Sequence, residues 1–376
     1  MNASELQKKD AGVELLRIIG CLIVIACHCV VQYKFDDGYH WANTTIACHW
    51  ADGVAIFWLV TGFFLFRHDD LARKAAGFAR RRLLPALAVI IFLFYFYDFL
   101  TSDATLLQSV THAPQDYGNV LLGFLKLQSN APKTGHFWYV IIYVLVLAAF
   151  PALNGFYKWL KEKGRRQVWF CAISFAALAV NDVLKNETFA FTNLSINALV
   201  PSCIFIIWGA LLYDHREKLL GIPQTVAALP LFVGLNMLRA LAIVIRNEAH
   251  ELYWFTTFGL LCAIFMMTFC LNVGRLMQGR KAGTAISWLG QHTFMIYLIH
   301  YAVKDMLSYW GYKDWVRKVS PPGTPLKVVG YTLMMALAVF AVSLVIAAAL
   351  HYLKELVFYI FKGKKNGKAK RSGGVS

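Results

Sequence analysis

Arg17 and His28 stand eleven residues apart in the first apolar run of the chain. On an α-helix that spacing is three turns plus about 20°, so both side chains leave nearly the same face, about 16 Å apart along the axis. An ionisable side chain inside a bilayer costs about 2.5–3.5 kcal/mol on insertion scales, so each needs a partner, a wet cavity or a place near the headgroups. Taken separately, Arg17 is explained by snorkelling to the inner headgroups and His28 by a hydrogen bond to a neighbouring helix. Together they suit a substrate that offers an anion at one end and needs a general base at the other. An imidazole titrating near pH 6.5 serves that second role at neutral pH.

A second cluster, Arg80, Arg81 and Arg82, closes on Pro85 at the start of the third apolar run. Orientation in the membrane accounts for Arg73 and Lys74, but three consecutive arginines exceed that need. Guanidinium forks match phosphate oxygens, which points to a phosphorylated cytoplasmic ligand. On the opposite side, Asp52 opens the second run, His136 the fourth, and His300 lies about fourteen residues into the ninth. His40 and His49 read as solvated loop residues. Arg239 sits deep in the seventh run with no partner nameable from sequence. Cys27-His28-Cys29 and Cys48-His49 raise the question of a metal, but helical neighbours point about 100° apart and neither CxxC nor HExxH spacing is present, so none is expected.

The elements that must position these residues follow from composition. Of 376 residues, 58% are hydrophobic and only 15% charged, with a mean hydropathy of +0.52. Soluble domains carry about 25% charged residues, so an ordinary globule and a disordered chain are both excluded. Ten segments are long and apolar enough to cross a bilayer, near 13–33, 50–67, 83–100, 136–153, 167–184, 195–213, 224–245, 252–273, 286–308 and 327–350. The stretch Gly118 to Leu127 is a candidate re-entrant turn. The expected fold is an all-α polytopic membrane protein of about ten transmembrane helices.

The net charge of +16 has a topological origin. With the N-terminus inside, cytoplasmic segments hold 24 Lys and Arg against 8 outside, which puts both termini in the cytoplasm and removes the nucleic-acid reading. Residues 1–12 form a cytoplasmic segment, 13–361 the membrane domain, and 362–376 a basic tail expected to be disordered and to touch anionic headgroups. No cleavable signal is expected, because the run from Val13 carries Arg17 and lacks a small-residue cleavage site. All cysteines but Cys48 fall in the apolar runs, which argues against a disulfide framework. No repeat of fixed period and no inverted pair of broken helices is found.

Five stretches then take on a common meaning: Arg17 followed after ten residues by His28; Gly53 to Phe63, with the aromatic pair Phe57-Trp58 and Thr61-Gly62-Phe63; Arg80 to Pro85; His136-Phe137-Trp138-Tyr139; and Ser287-Trp288-Leu289-Gly290 with Thr293 to His300. In this order they resemble the acyltransferase 3 family, membrane proteins of about ten helices that move acyl groups onto carbohydrates and other acceptors. Thr61 stands where that family usually has Ser. The resemblance implies an acyl-CoA donor bound from the cytoplasm, acetyl by default with succinyl an alternative, and an acceptor met on the outer side. A pantetheine arm spans on the order of the same 16 Å that the helical rise puts between Arg17 and His28.

On that basis Arg80, Arg81 and Arg82 are expected to hold the CoA phosphates, with Arg17 at the mouth of the passage. His28 acts as base or acyl carrier, Asp52 orients it, and His136, Trp138 and His300 serve the acceptor or the oxyanion. No tightly bound cofactor is expected. The partners are acyl-CoA, a carbohydrate or lipid-linked glycan, and membrane lipids, with homo-oligomer formation left open. The location is a bacterial inner or plasma membrane. A transporter using Asp98, Asp182, Arg239, Asp305 and His351 as a relay is the rival from another class, and a scaffold subunit of a glycan pathway is a third.

Overall fold

The computed structural model describes residues 10–30, 40–67, 69–111, 137–183, 198–245 and 256–371. Among them there is helix and no strand, as hydrocarbon requires of a chain that satisfies its backbone polar groups within each segment. Helix α1 is Ala11–Cys29, α2 His40–His49 and α3 Gly53–Leu65. Helix α4, Leu71–Phe78, passes through a π turn at Ala79–Leu83 into α5, Leu84–Thr101. Then come α6 (Trp138–Ala148), α7 (Phe150–Lys161), α8 (Gly164–Val183), α9 (Leu199–Asp214), α10 (Ile222–Ile245) and α11 (Thr257–Met277). The last are α12 (Lys281–Gly290), α13 (Thr293–Tyr309), α14 (Tyr312–Val319) and α15 (Pro325–Arg371).

Each of the ten apolar segments contains helix. Among the described residues, Ala11–Cys29, Trp41–Leu65, Ile222–Ile245, Thr257–Met277 and Pro325–Leu356 are each long and apolar enough to cross a bilayer alone. Two bent pairs raise the number of such candidate spans among the described residues to as many as seven, against the ten expected: Leu71–Leu93 with Tyr95–Thr101, and Trp138–Ala148 with Phe150–Lys161, the latter turned by 68°. The second bend falls where Pro151 enters the first turn of α7, the position at which proline ends one helix and starts another. The described residues are therefore those of a helical, polytopic membrane protein.

Asp10 caps α1 by accepting from the Gly12 and Val13 amides at 2.9 and 3.2 Å, and Gln278 accepts from the Ala11 amide at 2.9 Å. This pins α1 in the middle of the bundle, against α3, α11, α12, α13 and α15. Two glycines set its depth there. A Cβ on Gly53 of α3 would lie 2.6 Å from the Gly20 carbonyl oxygen of α1, and one on Gly290 would lie 2.1 Å from Glu14 Oε2. Small residues at crossings let the backbones approach in this way. In contrast, α10 and α15 expose rows of large apolar side chains such as Val226, Leu238, Leu337 and Val345 to the lipid side.

One expectation changes. The segment holding His40 and His49 is helix α2, and His49 packs its ring on Phe232 at 6.0 Å while its Nδ1–H donates to the Thr45 carbonyl at 2.7 Å.

Candidate functional site

A narrow pocket opens at the α4–α5 end of the bundle between α1, α3, α5, α6 and α13, lined by Arg17, Thr61, Arg82, Tyr139, Phe294 and Tyr297 among others. Arg17 Nη1 donates to both Glu14 carboxylate oxygens, at 3.2 and 3.1 Å. Glu14 fits there because Gly290 leaves its side free. Arg82 is turned inward by the π turn, its guanidinium 4.5 Å from the Tyr143 ring centre and 5.6 Å from that of Phe294. It makes no ion pair among the described residues. Arg17 has a carboxylate for a partner and Arg82 does not, so the pocket is left with a net positive charge.

The hydroxyl groups beside Arg82 are ordered by the single hydrogen each carries. Thr61 Oγ1 donates to the Phe57 carbonyl at 2.8 Å, so at 3.0 Å it accepts from the Tyr139 hydroxyl. The Tyr139 oxygen keeps a lone pair for a further donor at the pocket that it shares with Arg82. The cavity measures about 40 Å³, so a phosphate or a thioester arm enters only when side chains such as Arg82 and Phe294 part.

From this pocket a ladder of rings leads outward. Tyr297 lies 5.8 Å from Tyr139 and 5.8 Å from His300, centre to centre. His300 stacks on His28 at 5.3 Å and 29°, and Tyr301 meets His28 edge-on at 5.2 Å. His300 Nδ1 lies 2.6 Å from the Tyr297 carbonyl oxygen. A carbonyl only accepts, so Nδ1 carries the hydrogen and the neutral ring keeps its lone pair on Nε2. One turn further along α13, Lys304 lies over Tyr301 at 3.9 Å and pairs with Asp305 at 3.5 Å, while Tyr97 of α5 donates to Asp305.

The five sequence stretches singled out for their spacing converge here: Arg17 of α1, Thr61 of α3, Arg82 before α5, Tyr139 of α6, and Thr293 to His300 of α13 all meet at the pocket or at its ring ladder. A family model described as an acyltransferase domain, that of acyltransferase 3, matches residues 10–351. The chain belongs to the acyltransferase 3 family. It is a membrane acyltransferase. Neither a curated protein nor a solved structure matches it significantly.

Within this acyltransferase, the residues expected from sequence separate into groups. Arg17, Arg82, His28 and His300 come together along one route. Arg80 and Arg81 stay exposed, because three consecutive helical positions cannot share a face. Trp138 is buried in the core, and the residue that reaches the pocket is its neighbour Tyr139. His136 lies outside the described residues. Asp52, expected to orient His28, accepts on Oδ1 from Arg239 Nη1 at 2.8 Å and on Oδ2 from Asn236 Nδ2 at 3.3 Å, with the Asp52 and Arg239 side chains both fully buried. Cys27 of α1 is within electrostatic reach of that pair, a step of about 100° round the helix from His28.

Glu14, the partner of Arg17, was not among the residues singled out from sequence, while Tyr139 and Tyr297 stood in the singled-out stretches with no role assigned to them. Glu14 had a readable signal, standing three residues before Arg17, the spacing of helical ion pairs. Three of the groups that motivated a transporter have partners: Arg239 has Asp52, Asp305 has Tyr97 and Lys304, and His351 meets His292 edge-on at 5.4 Å.

Proposed function

We propose that this acyltransferase moves an acyl group, acetyl by default, from acyl-CoA supplied on the cytoplasmic side to a hydroxyl of a cell-envelope carbohydrate on the outer side. The observation that carries this reading is the positive Arg17–Arg82 pocket joined through Tyr297 to the His28–His300 stack. Such a pocket favours an anion, and guanidinium–phosphate hydrogen bonds are of the strong, charge-assisted kind. The about 16 Å of helical rise between Arg17 and His28 then fits a donor held by its phosphates at one end and reacting at the other.

The step balances on one imidazole. His28 takes the proton of the acceptor hydroxyl as its oxygen attacks the thioester carbonyl, the carbon–sulfur bond breaks, and the imidazolium returns that proton to the departing thiolate. His300 stacks its ring on His28 and so helps to hold that imidazole in place. The test is purified protein in vesicles with labelled acetyl-CoA supplied to one face and a candidate glycan on the other. Label is expected in the glycan only when donor is on the face of the termini. Solute counterflow without donor, and no labelled product, would favour the transporter.

A further inference from the structure

Tyr301 follows His300 on α13, and successive helical positions point about 100° apart. Both rings nevertheless reach His28 of α1. His300 stacks on it at 5.3 Å and 29°, Tyr301 meets it at 5.2 Å with the ring planes crossing at 69°, and the two α13 rings stand 6.2 Å apart at 71°. The imidazole therefore sits in a notch with two walls at a steep angle. A single stack lets a ring slide or turn in its own plane, whereas two contacts in different planes fix its direction.

Resting on the role given to His28 above, we propose that Tyr301 is a positioning residue for that imidazole, and that Lys304, Asp305 and Tyr97 act through it by holding its ring. Lys304 stands three residues on from Tyr301, the spacing of helical neighbours, with its ammonium 3.9 Å from the centre of the Tyr301 ring. The π cloud of an aromatic ring attracts a cation over its face, more strongly where water is scarce, and the Lys304 side chain is only 19% exposed. Its place is set by Asp305, whose Oδ1 lies 3.5 Å from Lys304 Nζ while Oδ2 accepts from the Tyr97 hydroxyl of α5. Both carboxylate oxygens are engaged, and Tyr97 ties the set to a helix that packs along α13.

What separates this set from a plain contact between helices is where it ends. Apolar side chains would hold α5 against α13 without placing ionisable groups in an apolar setting, where each is costly. The Asp52–Arg239 pair joins the start of α3 to α10, and its charges meet each other. The set on α13 instead runs from Tyr97 through Asp305 and Lys304 to Tyr301 and stops against the reacting ring. A base acts only within hydrogen-bond reach of the proton it takes, so an imidazole free to turn spends part of its time out of reach. The role asks for no contact between these four residues and the donor, and therefore requires an effect on turnover without one on donor affinity.

The experiment measures acetyl-CoA binding and transfer to the candidate glycan of the vesicle assay for the full chain, together with the ring resonances of isotope-labelled histidine, among which His28→Ala identifies those of His28. Tyr301→Leu is expected to lower kcat by about 10–100-fold, the scale of a misplaced catalytic group, with acetyl-CoA affinity within about twofold of wild type, which also certifies the fold. Tyr301→Phe keeps the ring and retains most of the turnover. Lys304→Met lowers kcat by roughly three- to tenfold, and Lys304→Arg, still a cation over the ring, restores it. Added to Tyr301→Leu, Lys304→Met costs nothing more, because the ring it acts through is gone. The His28 signals form one sharp set in the wild type and shift and broaden in Tyr301→Leu and Lys304→Met. Full turnover or unchanged His28 signals in Tyr301→Leu overturns the assignment. So does a Tyr301→Phe as impaired as Tyr301→Leu, which would make the hydroxyl a reacting group, or a Lys304→Met loss that multiplies in full with that of Tyr301→Leu. Failure of the His28 reading looks different: His28→Ala then transfers at the wild-type rate, or the wild type transfers nothing, and the His28 signals alone decide whether Tyr301 holds the ring.

Discussion

Arg239 and Arg82 are both drawn into the helical bundle, yet they do opposite things. Arg239 faces Asp52 with neither side chain exposed, Asn236 taking the second carboxylate oxygen, so the charges of α3 and α10 cancel in a sealed contact. Arg82 lies among rings and the Tyr139 hydroxyl, next to an Arg17–Glu14 pair whose arginine side chain is 23% exposed. A charge cancelled inside the fold holds helices together. One left over at a pocket is available to a ligand, and an ion needs some partner in so apolar a setting.

The largest effect expected from this contrast is on folding. Arg239→Ala leaves Asp52 buried and unpaired, a loss of about 3–5 kcal/mol, and thermal unfolding in detergent should show it. Removing both partners in Asp52→Asn/Arg239→Met should recover most of that loss, because no isolated charge remains; if it does not, Arg239 has a further task. Arg82→Ala should leave unfolding unchanged and weaken acetyl-CoA binding by about 10–100-fold, the value of a charge-assisted contact. A destabilised Arg82→Ala with intact donor binding would erase the contrast. Glu14→Gln, which keeps a hydrogen bond to Arg17 but removes the negative charge, should tighten donor binding by roughly two- to threefold, read in the same titration.

Helical geometry made much of this legible in the sequence. Arg17 and His28 share a face because rise and rotation are local properties, and the structure finds one at the pocket and the other on His300. The family pattern was equally local, five short stretches that converge once the helices pack. What sequence could not give were the pairings. Asp52 and Arg239 are 187 residues apart, and nothing in either segment names the other. Nor does a run of three arginines say which turns inward, since that depends on the π turn at Ala79–Leu83. The role given to Asp52 was read without Arg239, the buried partner that α10 brings to it.

The most direct test is His28→Ala, assayed for donor binding and for transfer on the same preparation. Unchanged acetyl-CoA affinity with transfer reduced by about 10²–10⁴-fold is the expected result, since the pocket of Arg17 and Arg82 is untouched while the base is gone. Transfer at the wild-type rate would mean that the ring stacked on His300 takes no part in the chemistry.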